Sequence, residues 1–205
     1  MVRDPARTIL TLPIARTLRV TRLFVVSPAG YVPFGRRTNR LTGHSHGKFS
    51  PHALQSLARM AKAHVQVEGG GFPRRIFIRR NSGTRTVVNA AEIERLLVER
   101  GFSIIEPEKL NFVEQVEIFS RAEVIVGATG AAFANLIFCG PAARIVIMLS
   151  KDKNMPYWYW QNMACSVGCR VTYVLGKAVR FSVLGIHRDF HVNPRDVLDA
   201  IEFSA

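Results

Sequence analysis

A chain of 205 residues, 48% hydrophobic and 21% charged, is long enough to bury a sizeable core and has the balance of a soluble globular protein, which excludes a fibrous or disordered chain. The net charge of +13 is uneven: residues 1–89 carry 16 Lys and Arg against 2 Asp and Glu, and residues 90–205 carry 12 against 13. A basic first part suits an anionic partner such as nucleic acid, an anionic lipid surface or a phosphorylated small molecule, or a surface made to face an acidic neighbour.

In chain order, Leu23 to Ser27 reads as a strand ended by Pro28-Ala29-Gly30, and 31–47 reads as a basic loop. Ser50-Pro51 opens a helix: the serine can cap it and proline fits the first helical position, while Leu54, Leu57, Ala58 and Ala61 share a face up to about Val65. After the break at Gly69-Gly70-Gly71, Arg75 to Arg79 is strand-like and 80–85 forms a polar loop. Asn89 with Glu92, and Asn111 with Glu114, have the spacing of capping boxes. The first opens a helix with Ile93, Leu96 and Leu97 on one face that stops at Gly101, and the second opens one with Val113, Val116 and Phe119. Strands follow at Phe102–Ile105, Val124–Val126, Arg144–Leu149 and Val171–Leu175, with helices at Tyr157–Val167 and from Asn193-Pro194 to Ile201. Strands alternating with helices predict an α/β fold with a parallel sheet covered on both faces.

The stretch Ala122–Phe138, AEVIVGATGAAFANLIF, organises the rest. Val124, Ile125 and Val126 form a short apolar strand, Gly127-Ala128-Thr129-Gly130 turns, and Ala131 to Phe138 resumes as a helix with small residues on one side. Small residues let something approach the backbone, and the free amides that open a helix suit a phosphate. Ligands of a parallel sheet sit beyond the carboxyl ends of its strands. Arg79, Arg80 and Arg85 follow one such strand and Thr129 and Gly130 another, so guanidinium groups and helix amides could converge on one diphosphate; independent surface arginines are the plainer alternative.

Cys139, Cys165 and Cys169 are too few and too unevenly spaced for a disulfide framework or a zinc site, and a reducing compartment is the simpler reading. His44 with His46, and His187 with His191, lack the carboxylate or cysteine neighbours of a metal site, so no metal is expected. The amino terminus lacks the continuous apolar core of a signal peptide. The uncharged run Val124–Ala143 contains Gly127, Gly130, Gly140 and Pro141 and reads as buried strand plus buried helix rather than a membrane span. A cytoplasmic location is the expectation, with peripheral contact to an anionic membrane left open by the basic first part.

The run RRIFIRRNSGTRTVVN followed by GFSIIEPEKLNFVEQVEIFSRAEVIVGATGAAFANLIF resembles the carboxy-terminal half of glycosyltransferase family 61, from about Leu23 onward and most densely over 75–138. The resemblance implies a GT-B arrangement of two Rossmann-like domains, in which the carboxy-terminal domain binds a nucleotide-sugar donor and a sugar passes with inversion to a glycan or protein acceptor, as in polysaccharide or capsule biosynthesis. It implies no cofactor and no metal. By resemblance the donor-binding residues are Arg79, Arg85 and Asn89, the Glu114-Gln115 pair, and Gly130, Ala131 and Asn135, to which position adds Arg80 and Thr129. Thr129 departs from a frequent histidine, Ala132 from a second glycine and Met148 from a carboxylate that often serves ribose. On this reading residues 1–70 are a basic remnant of the amino-terminal domain with its connecting segment, and 71–205 form a Rossmann-like nucleotide-sugar-binding domain. A catalytic base cannot be named, and a missing amino-terminal half or a partner chain would supply it. A non-catalytic nucleotide- or partner-binding module is the alternative. A nucleic-acid binder is the weaker one, because no aromatic stacking platform accompanies the arginines.

Overall fold

Five short apolar runs pair into the centre of the protein, whose computed structural model describes residues 11, 13–24, 28, 30–31, 46–65, 71–152, 155–179 and 185–203. These are β3 (Arg75–Ile78), β4 (Ser103–Ile105), β5 (Val124–Ala128), β6 (Arg144–Ser150) and β7 (Arg170–Ala178). All five are parallel, in the order β4-β3-β5-β6-β7, and a short antiparallel strand β8 (Phe190–His191) closes the far edge. The expected parallel sheet is thus present. Its order is the doubly wound one in which the second strand lies outside the first, and the direction of winding reverses between β3 and β5.

That reversal sends the crossover helices on its two sides to opposite faces, as right-handed crossovers require. One face carries α2 (Ala90–Val98) and α5 (Pro194–Phe203), which bury Ile93, Leu97, Val197 and Ile201 against Phe77, Val126, Val146 and Met148. The other carries α1 (Pro51–His64), α3 (Phe112–Arg121), a 3₁₀ helix Ala131–Phe138 and α4 (Trp158–Ser166), which cover Ile76, Ile125, Ile145 and Ile147. β5 is buried along its whole length, as the continuous apolar run of a strand covered twice must be. Burying side chains such as Ile125, Ile145 and Phe119 contributes about 1.5–3 kcal/mol each.

Local signals explain most boundaries. Ser50 Oγ accepts from Ala53 N at 3.3 Å and Pro51 opens α1. At α3 the capping box closes in both directions, Glu114 N donating to Asn111 Oδ1 at 3.0 Å and Asn111 N to Glu114 Oε2 at 2.7 Å. At α2 it does not form: Asn89 precedes the helix, but its side chain makes no cap hydrogen bond and is drawn to the backbone of Val192 instead. The faces also differ in detail. Leu57 and Val113, expected inside, are 51% and 45% exposed, because the packed stripes run through Ala58 and Ala61 and through Val116 and Phe119.

The helix expected after Gly130 is a 3₁₀ helix, tighter than an α-helix, so its first turn follows the strand with little slack. Among the elements not expected is a two-stranded ribbon, β1 (Gly30–Tyr31) with β2 (Lys48–Phe49), which packs on α4 through Phe49 and Tyr159, ring centroids 5.4 Å apart. Part of the strand expected at 23–27 lies outside the described residues, and Leu23 and Phe24 are exposed and outside any strand. Among the described residues no helix is long and apolar enough to cross a membrane.

Candidate functional site

The carboxyl ends of β3 and β5 are neighbours, Ile78 lying opposite Gly127, so the loops that leave them start side by side at the winding reversal. Two glycines make the junction tight. A Cβ at Gly127 would lie 3.0 Å from Ile78 Cβ and 3.3 Å from Phe133 Cζ, so glycine lets the 3₁₀ helix sit directly on the sheet. A Cβ at Gly130 would collide with Arg80 Nη1, because the guanidinium lies over the turn. What approaches the small-residue turn is therefore an arginine of this chain.

Arg80 donates from Nε to Thr84 O at 3.0 Å, which curls its own loop beneath it. Half burial, together with the positive charge of Arg85, pushes Arg80 down to about 10. Burial also lowers Arg85 from its ordinary value, and its Nε is buried without a hydrogen-bond partner. Arg85 holds a left-handed backbone, φ 58°, a costly conformation for a long side chain that the surroundings must enforce. They do so through a ladder: Arg85 N donates to His187 O at 3.3 Å, Thr86 N to Asp189 Oδ1 at 2.9 Å, Phe190 N to Thr86 O at 3.0 Å and Val88 N to Phe190 O at 2.9 Å. The segment before α5 thus props the arginine loop from the far side of the sheet. Nothing in the sequence joins these stretches.

Arg79, one residue earlier, faces the other way. Its Nε and Nη2 hold Glu94 of α2 at 2.9 and 2.6 Å, and Nη1 reaches Glu106 after β4 at 3.1 Å. Those hydrogen bonds, to Glu94 above all, and the two carboxylate charges raise the Arg79 pKa further. Glu106 is held below its ordinary value by hydrogen bonds from Lys109, Asn81 and Arg79. Alternation along β3 accounts for the split, since Arg79 follows Phe77 to the α2 face and Arg80 follows Ile78 to the other.

The remaining expected residues form a scaffold around this core. Thr129 donates its N–H to Met148 O, and its Oγ1 accepts from Trp160 Nε1 at 2.9 Å, a contact with α4 that sequence spacing did not suggest. Ala131 is exposed at the start of the 3₁₀ helix. Asn135 Nδ2 donates to Gln115 Oε1 at 2.8 Å, and Gln115 Nε2 donates to Pro107 O and Leu110 O, both at 3.0 Å, which ties the 3₁₀ helix to α3. Glu114 serves the α3 cap, and Asn89 clasps Val192 through N–H and C=O at 3.1 and 2.8 Å. The structure thus brings Arg80, Arg85, Thr129 and Gly130 together, and turns Arg79, Asn89, Glu114, Gln115 and Asn135 toward protein partners. Among the described residues no cluster of three or more His, Cys, Asp or Glu side chains is placed to hold a metal ion.

Among the described residues neither Arg80 nor Arg85 makes an ion pair with a carboxylate, and two neighbouring guanidinium groups beside the opening turn of a helix can cradle a polyvalent anion. No curated protein matches the chain. The sequence model Glycosyltransferase 61 matches residues 13–146, more than half of the chain and every strand that borders the cradle. The chain belongs to glycosyltransferase family 61.

Proposed function

We propose that this chain is the donor-binding part of a glycosyltransferase that moves a sugar from a nucleotide-sugar donor to a hydroxyl of a glycan or protein acceptor, with inversion, in polysaccharide biosynthesis. The observation that carries the reading is Arg80 lying over the Gly130 turn with the charge of Arg85 beside it, both guanidinium groups half-buried. Two cations this close, with no ion pair to a carboxylate among the described residues, suit an anion brought by a ligand, and a diphosphate matches both the charge and the fork geometry.

In a direct displacement at the anomeric carbon, negative charge grows on the diphosphate as the sugar leaves. The cradle opposes that charge with two fixed cations and the amides that open the 3₁₀ helix, and such preorganised groups lower the barrier most where water is excluded. Thr129, fixed by Trp160, shapes the turn beside them. The base that takes the acceptor proton is assigned to the acceptor-side half of a GT-B arrangement or to a partner chain. The basic first part suits a cytoplasmic enzyme resting against an anionic membrane, where polysaccharide precursors are assembled.

Calorimetric titration of UDP, GDP and a single-stranded oligonucleotide at two salt concentrations tests the reading. One of the nucleotides should bind the wild type, and Arg80→Ala with Arg85→Ala should lose at least tenfold in that affinity, since charge-assisted contacts contribute about 1.5–3 kcal/mol each. Oligonucleotide binding, which sums many charges, should change little. Oligonucleotide binding with no nucleotide binding would overturn the donor reading.

A further inference from the structure

Two of the three cysteines, 30 residues apart by number, meet in the core. Cys139 ends the 3₁₀ helix and Cys169 immediately precedes β7, and both lie in the cluster that packs the helices onto the sheet. The turns that carry them are pressed together: Cys169 Sγ donates to Gly140 O at 3.2 Å, and a Cβ at Gly168 would lie 3.3 Å from Pro141 Cβ. The two thiols lie close enough for each to shift the other's hold on its proton. They are 5% and 3% exposed, while Cys165, on the outer side of α4, is exposed.

We propose that Cys139 and Cys169 form a reversible dithiol/disulfide couple that staples the end of the 3₁₀ helix to the start of β7. The two sulfurs are not equivalent. The neighbouring Cys139 thiol favours the thiolate of Cys169 against burial, aided by the charge of Lys62, whereas its Cys169 neighbour and burial hold the proton on Cys139. Loss of the Cys169 proton also gives up its bond to Gly140 O, so either sulfur can attack first and the product is the same. With a peroxide as oxidant and Cys169 first, its thiolate attacks one peroxide oxygen, the O–O bond breaks, and water leaves once its oxygen is protonated, giving a sulfenic acid. Cys139 sulfur then attacks the sulfenic sulfur and expels its oxygen as a second water, so two thiols and one hydrogen peroxide become one disulfide and two waters. Burial keeps bulky thiols out, so a sulfur oxidised here meets its neighbour first. The staple closes a loop that contains β6 and α4, which favours the folded state by restricting the unfolded one.

The test uses the full chain with Cys165→Ser, to remove the exposed thiol. Native protein is treated with hydrogen peroxide and followed by intact mass, peptide mapping and thermal melting. The expected result is a loss of about 2 Da, a linked pair of peptides containing Cys139 and Cys169, recovery of the mass with dithiothreitol, and a Tm raised on the order of 5–10 °C in the oxidised form. The added change Cys139→Ala should abolish the mass loss and leave a sulfenic or higher acid on Cys169. Addition of oxygen without linkage in the Cys165→Ser protein itself would overturn the proposal, without need of the second variant, and so would a linked form that melts lower than the reduced one.

Discussion

Arg79 and Arg80 are adjacent in sequence yet belong to opposite electrostatic regimes. On the α2 face Arg79, Glu94, Glu106 and Lys109 form a network in which each charge has a partner of opposite sign. On the other face Arg80 and Arg85 have each other, and burial opposes the charge of both. A neutralised network is complete without a ligand and its arginine acts as a strut. On the proposed reading the pair awaits an anion, whose arrival would recover the free energy that the two charges cost the empty protein. On that reading, local charge balance distinguishes the two arginines where a shared arginine motif does not.

The largest expected effect comes from the uncompensated side. Arg80→Ala alone should weaken nucleotide binding at least tenfold, and Tm should hold or rise, because a strained charge is removed. Calorimetry paired with a melting curve reads both. Next is Asn89→Ala, which strips the donor and acceptor from the Val192 backbone at 3.1 and 2.8 Å. Its cost is about 1–3 kcal/mol of stability in a urea titration. If Asn89 contacted the donor directly, affinity would fall with stability unchanged.

Gly130→Ala sharpens the comparison differently. Backbone φ is 177°, extended geometry that any residue adopts, so the added methyl meets only the tip of Arg80. Nucleotide affinity should drop about tenfold through displacement of that guanidinium, with Tm nearly unchanged; a large fall in Tm would mean that the turn, not the cradle, requires glycine.

The pH dependence follows from Arg80 lying near about 10 rather than 12.5. Between those values the unfolded chain binds the proton more readily than the folded one, so the empty protein gains stability from this group as pH rises through that window and bears the penalty below it. Anion binding needs the charged form. Affinity should therefore fall by about fourfold between pH 9 and 10.5 in the wild type and not in Arg80→Ala. Arg79→Ala is the smallest effect on binding, under about threefold, with a Tm lower by a few degrees as Glu94 and Glu106 lose their shared cation. An affinity loss matching that of Arg80→Ala would erase the distinction between the two faces.

The periodicity of the chain made the strands and helices of 75–203 readable, because burial on both faces or one face leaves its pattern in the residues themselves. The geometry of the candidate site was readable only by halves. The glycine turn and the arginines stand out in sequence, but which of two adjacent arginines faces the turn depends on strand phase, set by Ile78 packing inward. Asn89 and Asn111 carry the same capping signal, and only Asn111 obeys it, since a buried backbone 103 residues further on outcompeted the helix for Asn89. The Trp160–Thr129 bond and the thiol pair likewise arise from packing between elements, which no local spacing encodes.

The ladder that holds Arg85 has a consequence for how the protein comes into being. Thr86 and Asn89 are each fixed by residues 103 positions later, so the arginine loop cannot settle when its own strand is made. At typical synthesis speeds that delay is roughly 5–20 s. During that interval the sheet can begin to assemble around β3, β5 and β6 while the cradle is still without its prop. On the proposed reading ligand competence is among the last properties the growing chain acquires, and a ribosome-bound intermediate that has not yet released Phe190 should be folded in part and unable to hold an anion.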